Sequence, residues 1–180
     1  MAKKQSLGKR IIIVILLFFG IAVLAFFYRN QIIRYGYKAW RLEKRLFNKE
    51  NHAATKISFP KGYAVHGIDV SRWQTDINWS QLKAADLNGD TINFSFAFIK
   101  ATEGILLEDP SFIDNWAGAQ KNNIIRGAYH YFLPNADVSL QAKNFISSVK
   151  LKSGDLPPVF VVEEKGNLTK KALVKKLKQF

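Results

Sequence analysis

An uninterrupted apolar run at residues 11–27 constrains the fold of this chain more than any other feature of its sequence. The run reads IIIVILLFFGIAVLAFF, directly follows Lys9 and Arg10, and is soon followed by Arg29. Roughly 17 to 25 apolar residues suffice for a helix that crosses a bilayer. We therefore predict a basic segment at 1–10, a transmembrane helix at 11–28 and a separate folded domain further along the chain.

A cleaved signal peptide is the alternative for this run, because it also combines a basic start with an apolar core. Its core is usually shorter, about 7 to 15 residues. Ala22 and Ala25 form only a poor small-residue cleavage pattern, and the chain has no cysteine for lipid attachment. We favour the uncleaved anchor. Basic residues lie on both sides of the run, so the positive-inside rule assigns no orientation.

The basic residues are concentrated near the predicted membrane helix. The chain has 27 Lys and Arg against 14 Asp and Glu, and residues 1–57 hold twelve of the basic residues opposed only by Glu43 and Glu50. Anionic headgroups attract Lys and Arg beside a bilayer, which explains this excess without contacts to a phosphate backbone. We expect lipid as a partner and no nucleic acid.

Metal and cofactor chemistry is not indicated by the sequence. The chain has no cysteine, and its three histidines, His52, His66 and His130, are scattered. Metal sites need ligands at closer and more regular spacings. We expect neither a metal site nor a cofactor.

Residues 28–50 combine many cations with spaced apolar residues, a loosely amphipathic pattern. A helical stalk, with Tyr28, Tyr35, Tyr37 and Trp40 near the headgroups, fits this pattern, and so does a partly ordered linker. Pro60 and Gly62 mark the start of the folded part. We assign 29–61 to a basic membrane-proximal stalk and linker, and 62–180 to the domain.

Strand-like and helix-like segments alternate from Gly62 onward. Strands are predicted at 64–69, 92–100, 124–132 and 158–163. Helices are predicted from Trp79 toward Gly89, after Asp109-Pro110, after Asp137 and after Thr169, with these Asp and Thr residues as caps. This alternation predicts an α/β fold with a parallel sheet and helical crossovers. Four βα units are too few for a closed barrel, so we expect a partial TIM-like (β/α) barrel.

Two of these helices have a predicted inward face. The apolar residues of the first are Phe112, Ile113, Trp116 and Ala119. Those of the second are Ala142, Phe145, Ile146 and Val149, which recur at the spacing of an amphipathic helix. We expect both sets to pack on the sheet.

Polar side chains collect where the predicted strands end. The carboxyl ends of parallel strands hold the active residues of α/β enzymes. In chain order these ends supply Asp69, Lys100 with Glu103, Tyr129 with His130, and Glu163 with Glu164. Carboxylates on two strand ends suit glycosidic cleavage, in which one protonates the leaving oxygen and the other stabilises or attacks the cationic sugar carbon.

Several sequence blocks make this interpretation specific. They are HGIDVSRWQ at 66–74, INW at 77–79, FIKATEG at 98–104, RGAYHYF at 126–132, QA at 141–142, NF at 144–145 and LPPV at 156–159. In order and spacing they resemble the glycoside hydrolase family 25 lysozymes, which are N-acetylmuramidases. The resemblance implies an irregular β/α barrel that hydrolyses the β-1,4 bond between N-acetylmuramic acid and N-acetylglucosamine in peptidoglycan.

The resemblance also implies roles for the candidate residues. Glu163 matches the general acid and Asp69 the aspartate of the first strand. The candidate substrate-binding residues are Tyr129, Lys100, Glu103 and His130. Lys100 and Glu103 could equally pair with each other, and we favour a structural or supporting role for His130. A wall substrate implies a single-pass protein of the bacterial cytoplasmic membrane whose domain faces the periplasm or cell wall.

One position departs from the family pattern. The strand after Pro157-Pro158 carries an Asp-x-Glu motif in the family, and its aspartate falls on Val161 here. A carboxylate at this position favours the protonated acid by like-charge repulsion and stabilises positive charge on the sugar. Val161 does neither, which leaves burial as the main influence on Glu163. We expect turnover below family norms.

The later strands of the family do not follow in this chain, so we expect a truncated domain. Two alternatives to an active enzyme stay open at this point. One is a catalytically impaired wall-binding or scaffold protein that keeps the muramidase fold. The other is a truncated domain that does not fold alone, because its sheet edges would be unpaired.

Overall fold

The computed structural model describes residues 7–47, 62–74, 76–82, 85–87 and 90–180. The helices are α1 (Leu7–Phe47), α2 (Trp79–Leu82), α3 (Phe112–Lys121), α4 (Val138–Ser148) and α5 (Lys170–Leu177). The strands are β1 (His66–Val70), β2 (Ala85–Leu87), β3 (Asp90–Ile92), β4 (Phe94–Glu103), β5 (Leu107–Glu108), β6 (Ile125–Tyr131) and β7 (Val159–Val161). A 3-10 turn covers Arg72–Gln74. Residues 1–6 of the predicted basic segment and 48–61 of the predicted linker lie outside the described residues.

Four parallel strands form the body of the domain in the order β1-β4-β6-β7. The short β5 pairs antiparallel with the end of β4. Helices α3 and α4 connect β4 to β6 and β6 to β7, and both pack on β4. The sheet is half of a β/α barrel, which confirms the predicted α/β fold of partial TIM-like type.

Strand β4 divides its side chains between the two faces of the half-barrel. Ala97, Ile99 and Ala101 are completely buried on the outer face, in a core that the helices cover. Phe96 and Phe98 lie on the inner face, with ring centroids 5.9 Å apart. Glycines on the neighbouring strands make room for these rings: a Cβ atom at position 67 would overlap Phe96, and one at 127 would overlap Phe98. Large and small residues therefore alternate across the inner face.

The segment between β1 and β4 differs from the prediction. We expected a helix from Trp79 toward Gly89, but α2 ends at Leu82 and an antiparallel hairpin of β2 and β3 follows. Leu87 pairs with Asp90 across this hairpin. The intervening sequence is Asn-Gly, the dipeptide most typical of two-residue hairpin turns. That turn signal outweighs the short helical pattern before it.

The predicted inward faces of α3 and α4 are wrong in part. Ile113 and Ile146 are 52% and 66% exposed, although Phe112 and Phe145 are buried as expected. Polar side chains of these helices are buried instead, among them Asn115 and Asn144. The loops of the half-barrel need such hydrogen-bond partners. Asn144 donates to the carbonyls of residues 104 and 107.

The predicted caps are mostly found. Asp137 accepts from the backbone N–H of Leu140 at 2.8 Å, and Thr169 accepts from that of Ala172 at 3.2 Å. Asp109 does not cap α3, whose first flanking residue is Ser111. Its side chain is buried and accepts from the backbone N–H and the hydroxyl of Ser111 at 2.9 and 2.6 Å. Asp109 thus stabilises the turn before the helix.

Helix α1 runs for 41 residues through both the apolar run and the predicted stalk. By length and composition its stretch Gly8–Trp40 can cross a membrane: its most apolar 18 residues have a mean hydropathy of 3.1, and none of them is buried. A signal sequence meets the same criteria. The far end of α1 packs on the domain, where the buried Tyr37 donates to the carbonyl of Arg72 at 2.8 Å.

Candidate active site

The inner face of the half-barrel brings several predicted site residues together. Lys100 stands opposite Tyr129 in the pairing of β4 with β6, and Tyr131 stands opposite Val161 in the pairing of β6 with β7. Strand side chains alternate between faces, so all four point to the inner face. Glu163 follows β7 two residues after Val161.

A series of contacts joins Glu163 to β4. The hydroxyl of Tyr131 donates to Glu163 Oε2 at 3.1 Å. The Lys100 ammonium lies 4.4 Å from the centroid of the Tyr131 ring and 2.7 Å from Glu103 Oε2. Lys100 is buried, so the carboxylate and the ring face replace the water that its charge loses. Of the two roles proposed for Lys100 and Glu103, this geometry contains the mutual pair.

The hydroxyl of Tyr131 is held as a hydrogen-bond donor. Its pKa is raised above the ordinary value, first by burial and then by the hydrogen bond to Glu163 and the charge of that carboxylate. A neutral phenol beside a carboxylate fixes the orientation of the carboxylate without neutralising it. Tyr131 is therefore suited to position Glu163.

Tyr129 lies among carboxylates from different parts of the chain. Burial raises the pKa of its hydroxyl most, the negative charges of Asp69, Asp109 and Glu163 raise it further, and a hydrogen bond with Ser71 opposes them. Asp69, on β1, is exposed. Asp69 on β1 and Glu163 after β7 lie at the carboxyl ends of parallel strands, so both belong to the same edge of the half-barrel.

The turn after β1 is held by hydrogen bonds of Ser71, Gln74 and Asp109. Gln74 Oε1 accepts from the backbone N–H and the hydroxyl of Ser71 at 2.7 and 3.1 Å. Asp109 Oδ2 accepts from the backbone N–H of Arg72 at 3.1 Å. Trp73 then projects outward, 68% exposed, with the Arg72 guanidinium 4.8 Å from its ring centroid. These bonds fix the backbone that follows Asp69.

His130 lies on the opposite face of β6 from Tyr129. It is completely buried, with Nδ1 2.7 Å from Thr102 Oγ1 and Nε2 3.2 Å from Gln141 Oε1. Burial lowers the pKa of its imidazole, and the hydrogen bond that Gln141 Oε1 accepts from it partly offsets this effect. Both ring nitrogens are occupied by protein groups. Its position matches the structural role that we favoured over direct contact with substrate.

Glu163 is exposed. We expected burial to dominate the environment of its carboxyl group. That expectation is wrong: β7 ends at Val161, and the chain leaves the sheet before it reaches Glu163. The side chain of Val161 is half-buried, and its carbonyl accepts from the backbone N–H of Phe132 at 2.9 Å. Position 161 thus belongs to the sheet, whereas 163 is held by Tyr131 alone among the described hydrogen bonds.

Sequence reasoning missed three residues that shape this site: Tyr131, Ser71 and Asp109. Tyr131 follows Tyr129 by two residues on a strand, so the alternation of side chains could have identified it. Ser71 lies two residues beyond Asp69 in a matching block. Asp109 gave a competing signal, because an Asp before Pro is typical of a helix start.

The described residues include no group of three or more His, Cys, Asp or Glu side chains that could hold a metal ion. What the inner face offers instead is carboxylates, two tyrosine hydroxyls and a buried ammonium. Such a set can exchange protons and stabilise positive charge.

Comparison with known proteins gives one consistent result. The sequence profile of "Glycosyl hydrolases family 25" matches residues 68–180. The uncharacterized protein YegX of Escherichia coli K12 is 48% identical over 124 residues, which cover 69% of this chain and 45% of YegX. Lysozyme M1 of Streptomyces globisporus is 45% identical over 84 residues, covering 47% of this chain and 26% of that protein.

A solved structure agrees with these sequence relatives. The family 25 glycosyl hydrolase from Bacillus anthracis superposes with a TM-score of 0.58 at 33% identity, covering 72% of this chain and 58% of that chain. The matched residues therefore span between 26% and 58% of the length of these relatives.

Proposed function

The chain belongs to glycosyl hydrolase family 25, and we propose that it is a peptidoglycan hydrolase that cleaves the β-1,4 bond between N-acetylmuramic acid and N-acetylglucosamine. Its similarity to a protein named lysozyme supports this substrate. The observation that carries the proposal is that Asp69 and Glu163 lie at the carboxyl ends of β1 and β7, two parallel strands of one sheet, with Tyr129 on β6 between them. Two carboxylates from different strand ends, facing one space, are what glycosidic cleavage requires.

In the proposed reaction Glu163 donates a proton to the glycosidic oxygen as the bond to the anomeric carbon breaks. Asp69 stabilises the positive charge that develops on the sugar. Water adds its hydroxyl group to the anomeric carbon, and its proton restores Glu163. Tyr131 orients the acid through the 3.1 Å hydrogen bond. Lys100, Glu103 and Tyr129 are candidate contacts to the sugar.

We also propose that α1 anchors the enzyme in the bacterial cytoplasmic membrane, with the domain facing the cell wall. The apolar composition and length of α1 support a single span. The orientation of the domain follows from the location of peptidoglycan.

The exposed ring of Trp73, in the turn after β1, offers a face for stacking against a pyranose.

The role of Glu163 can be tested by replacing it with Gln. Loss of a positioned general acid lowers a rate by about 10² to 10⁴, so we expect Glu163→Gln to abolish measurable release of reducing ends from purified peptidoglycan. Folding should be unaffected, because the side chain is exposed.

Glu164→Gln is the matched control, since it makes the same change one residue later at another exposed position. It should retain the activity of the unmodified chain. Equal activity in the two variants would remove Glu163 from the mechanism. If the unmodified chain binds the cell wall but does not hydrolyse it, the result would favour a catalytically impaired wall-binding protein.

A further inference from the structure

Helix α1 meets the folded domain close to the end of its apolar run. The run ends at Phe27, and a cavity between α1 and the domain is lined by Asn30 and Arg34 on one side and by Ile113 and Ser147 among others on the other. A helix rises about 1.5 Å per residue, so Asn30 lies about 4.5 Å beyond Phe27. The headgroup layer is roughly 5 to 8 Å thick on each side of the bilayer core. The first helix–domain contact therefore falls within this layer.

A second level of contact lies further along the same helix. Tyr37 is only 9% exposed and donates to the carbonyl of Arg72 at 2.8 Å. Lys38 Nζ lies 3.4 Å from Asp114 Oδ2. These residues follow Asn30 by about two helical turns, or roughly 11 Å. Contacts at two levels fix the inclination of the domain on α1.

The domain surface beside the first contact, near Asn30 and Arg34, combines exposed aliphatic residues with lysines. Ile113 lines the cavity itself. Ile146 and Leu151 are 66% and 42% exposed, and Ile146 directly precedes Ser147 of the cavity. Lys150 extends over the end of α4, with Nζ 3.5 Å from the carbonyl of Ile146. Lys143, three residues before Ile146, shares its helix face.

We propose that this surface, which we call the α4 face (Ile113, Lys143, Ile146, Lys150 and Leu151), rests on the headgroup layer of the bilayer that α1 crosses. Aliphatic side chains among lysines are the composition of interfacial segments. Lysines near an anionic bilayer surface are attracted to its headgroups. The inference depends on the proposed membrane anchorage. It makes α1 a fixed mount, which confines the active site to glycan strands next to the membrane.

Single cysteines can test this proposal, because the chain has none of its own. The full chain carrying Ile146→Cys, labelled with an environment-sensitive fluorophore, is reconstituted into vesicles of phosphatidylethanolamine and phosphatidylglycerol. A lipid with a nitroxide on its headgroup then serves as quencher. The matched control is Lys171→Cys on α5, which lies near the other end of α4: Lys176 of α5 donates to the carbonyl of Pro134 at 2.7 Å.

We expect the label at 146 to be quenched several-fold more strongly than the label at 171. Adding Lys143→Glu and Lys150→Glu to the Ile146→Cys chain should reduce that quenching. Equal quenching at 146 and 171 would overturn the proposal, since a domain on a free tether presents both sites alike.

A third label separates this inference from the anchorage on which it rests. Ile21→Cys lies within the apolar run and is read with lipids that carry the nitroxide on the acyl chain. Strong quenching at 21 with equal quenching at 146 and 171 would refute the α4 face alone. Absence of quenching at 21 would refute both the anchor and the α4 face.

Discussion

At the scale of single residues, the proposed chemistry depends on Val161 at the end of β7 and on Glu163 just after it. Val161 lies in the sheet opposite Tyr131, and Glu163 lies just beyond it, exposed and hydrogen bonded to Tyr131. A negative charge at 161 would act on the same space as Glu163. The valine thus removes electrostatic support while leaving the backbone of the strand in place.

Val161→Asp should raise the rate of peptidoglycan hydrolysis. The new carboxylate would favour the protonated form of its neighbour and stabilise the cationic sugar. A stabilisation of about 1.4 kcal/mol in the transition state corresponds to a tenfold rate increase, and we expect a gain of this order. Val162→Asp is the control, because it introduces the same carboxylate one residue later, beyond the end of β7. A rate that stays unchanged in Val161→Asp would show that position 161 does not limit catalysis.

The buried His130 makes stability depend on pH. Burial lowers its pKa in the folded protein, whereas the unfolded chain binds a proton near pH 6.5. Below that pH the unfolded state holds more protons, so stability is complete above about 6.5 and falls as pH decreases. We expect the melting temperature of the unmodified chain to fall between about pH 7 and pH 5.

His130→Gln should reduce this pH dependence, because an amide does not titrate. The variant should also be less stable at neutral pH, where the bonds to Thr102 and Gln141 are changed. Thermal unfolding followed by circular dichroism across the pH range measures both effects. An identical slope in the two proteins would assign the pH dependence to other groups.

Site residues could be predicted from the sequence only where the end of a strand is recognisable from its apolar run and the polar residue that follows. Asp69 lies within a matching block and Glu163 four residues after one, and each follows an apolar run, so the sequence predicts that both lie at the carboxyl ends of strands. Tyr131 was harder to identify, since its role arises from register with β7 and from contact with Lys100. Exposure of Glu163 depends on where β7 ends, and that boundary is set by tertiary pairing.

At the scale of secondary-structure elements, strands were predicted better than helix faces. The alternation in β4 and the caps Asp137 and Thr169 are visible in the sequence and present in the structure. The exposed positions of Ile113 and Ile146 could not be predicted in this way, because helical periodicity counts apolar residues and ignores buried amides such as that of Asn144. Asn144 lies on the inward face of α4 because its amide donates hydrogen bonds to loop carbonyls of residues 104 and 107.

Docking of α1 on the domain should contribute measurably to stability. Tyr37→Phe removes a partly buried hydrogen bond to the carbonyl of Arg72, which typically contributes about 0.5 to 1.5 kcal/mol. We expect a loss of that size in the free energy of unfolding, measured by denaturant titration in detergent micelles. Tyr35→Phe provides the control, because Tyr35 lies on the same helix and is 66% exposed. Equal stability of the two variants would argue against docking.

At the scale of the whole molecule, the fold, the inner-face carboxylates and the long apolar helix support one account: a muramidase domain mounted on a membrane helix. The half-barrel of parallel strands supplies the strand ends near which Asp69 and Glu163 lie. Because α1 packs directly on this half-barrel, the proposed membrane anchorage would couple the location of the proposed active site to the position of the bilayer.

The chemical identity of the new chain end tests this account most directly. Purified peptidoglycan is digested with the full chain, and the soluble fragments are reduced and analysed by mass spectrometry. The account predicts slow release of fragments that end in reducing N-acetylmuramic acid, and none from Glu163→Gln. Fragments that end only in reducing N-acetylglucosamine, or no fragments above the Glu163→Gln background, would contradict it.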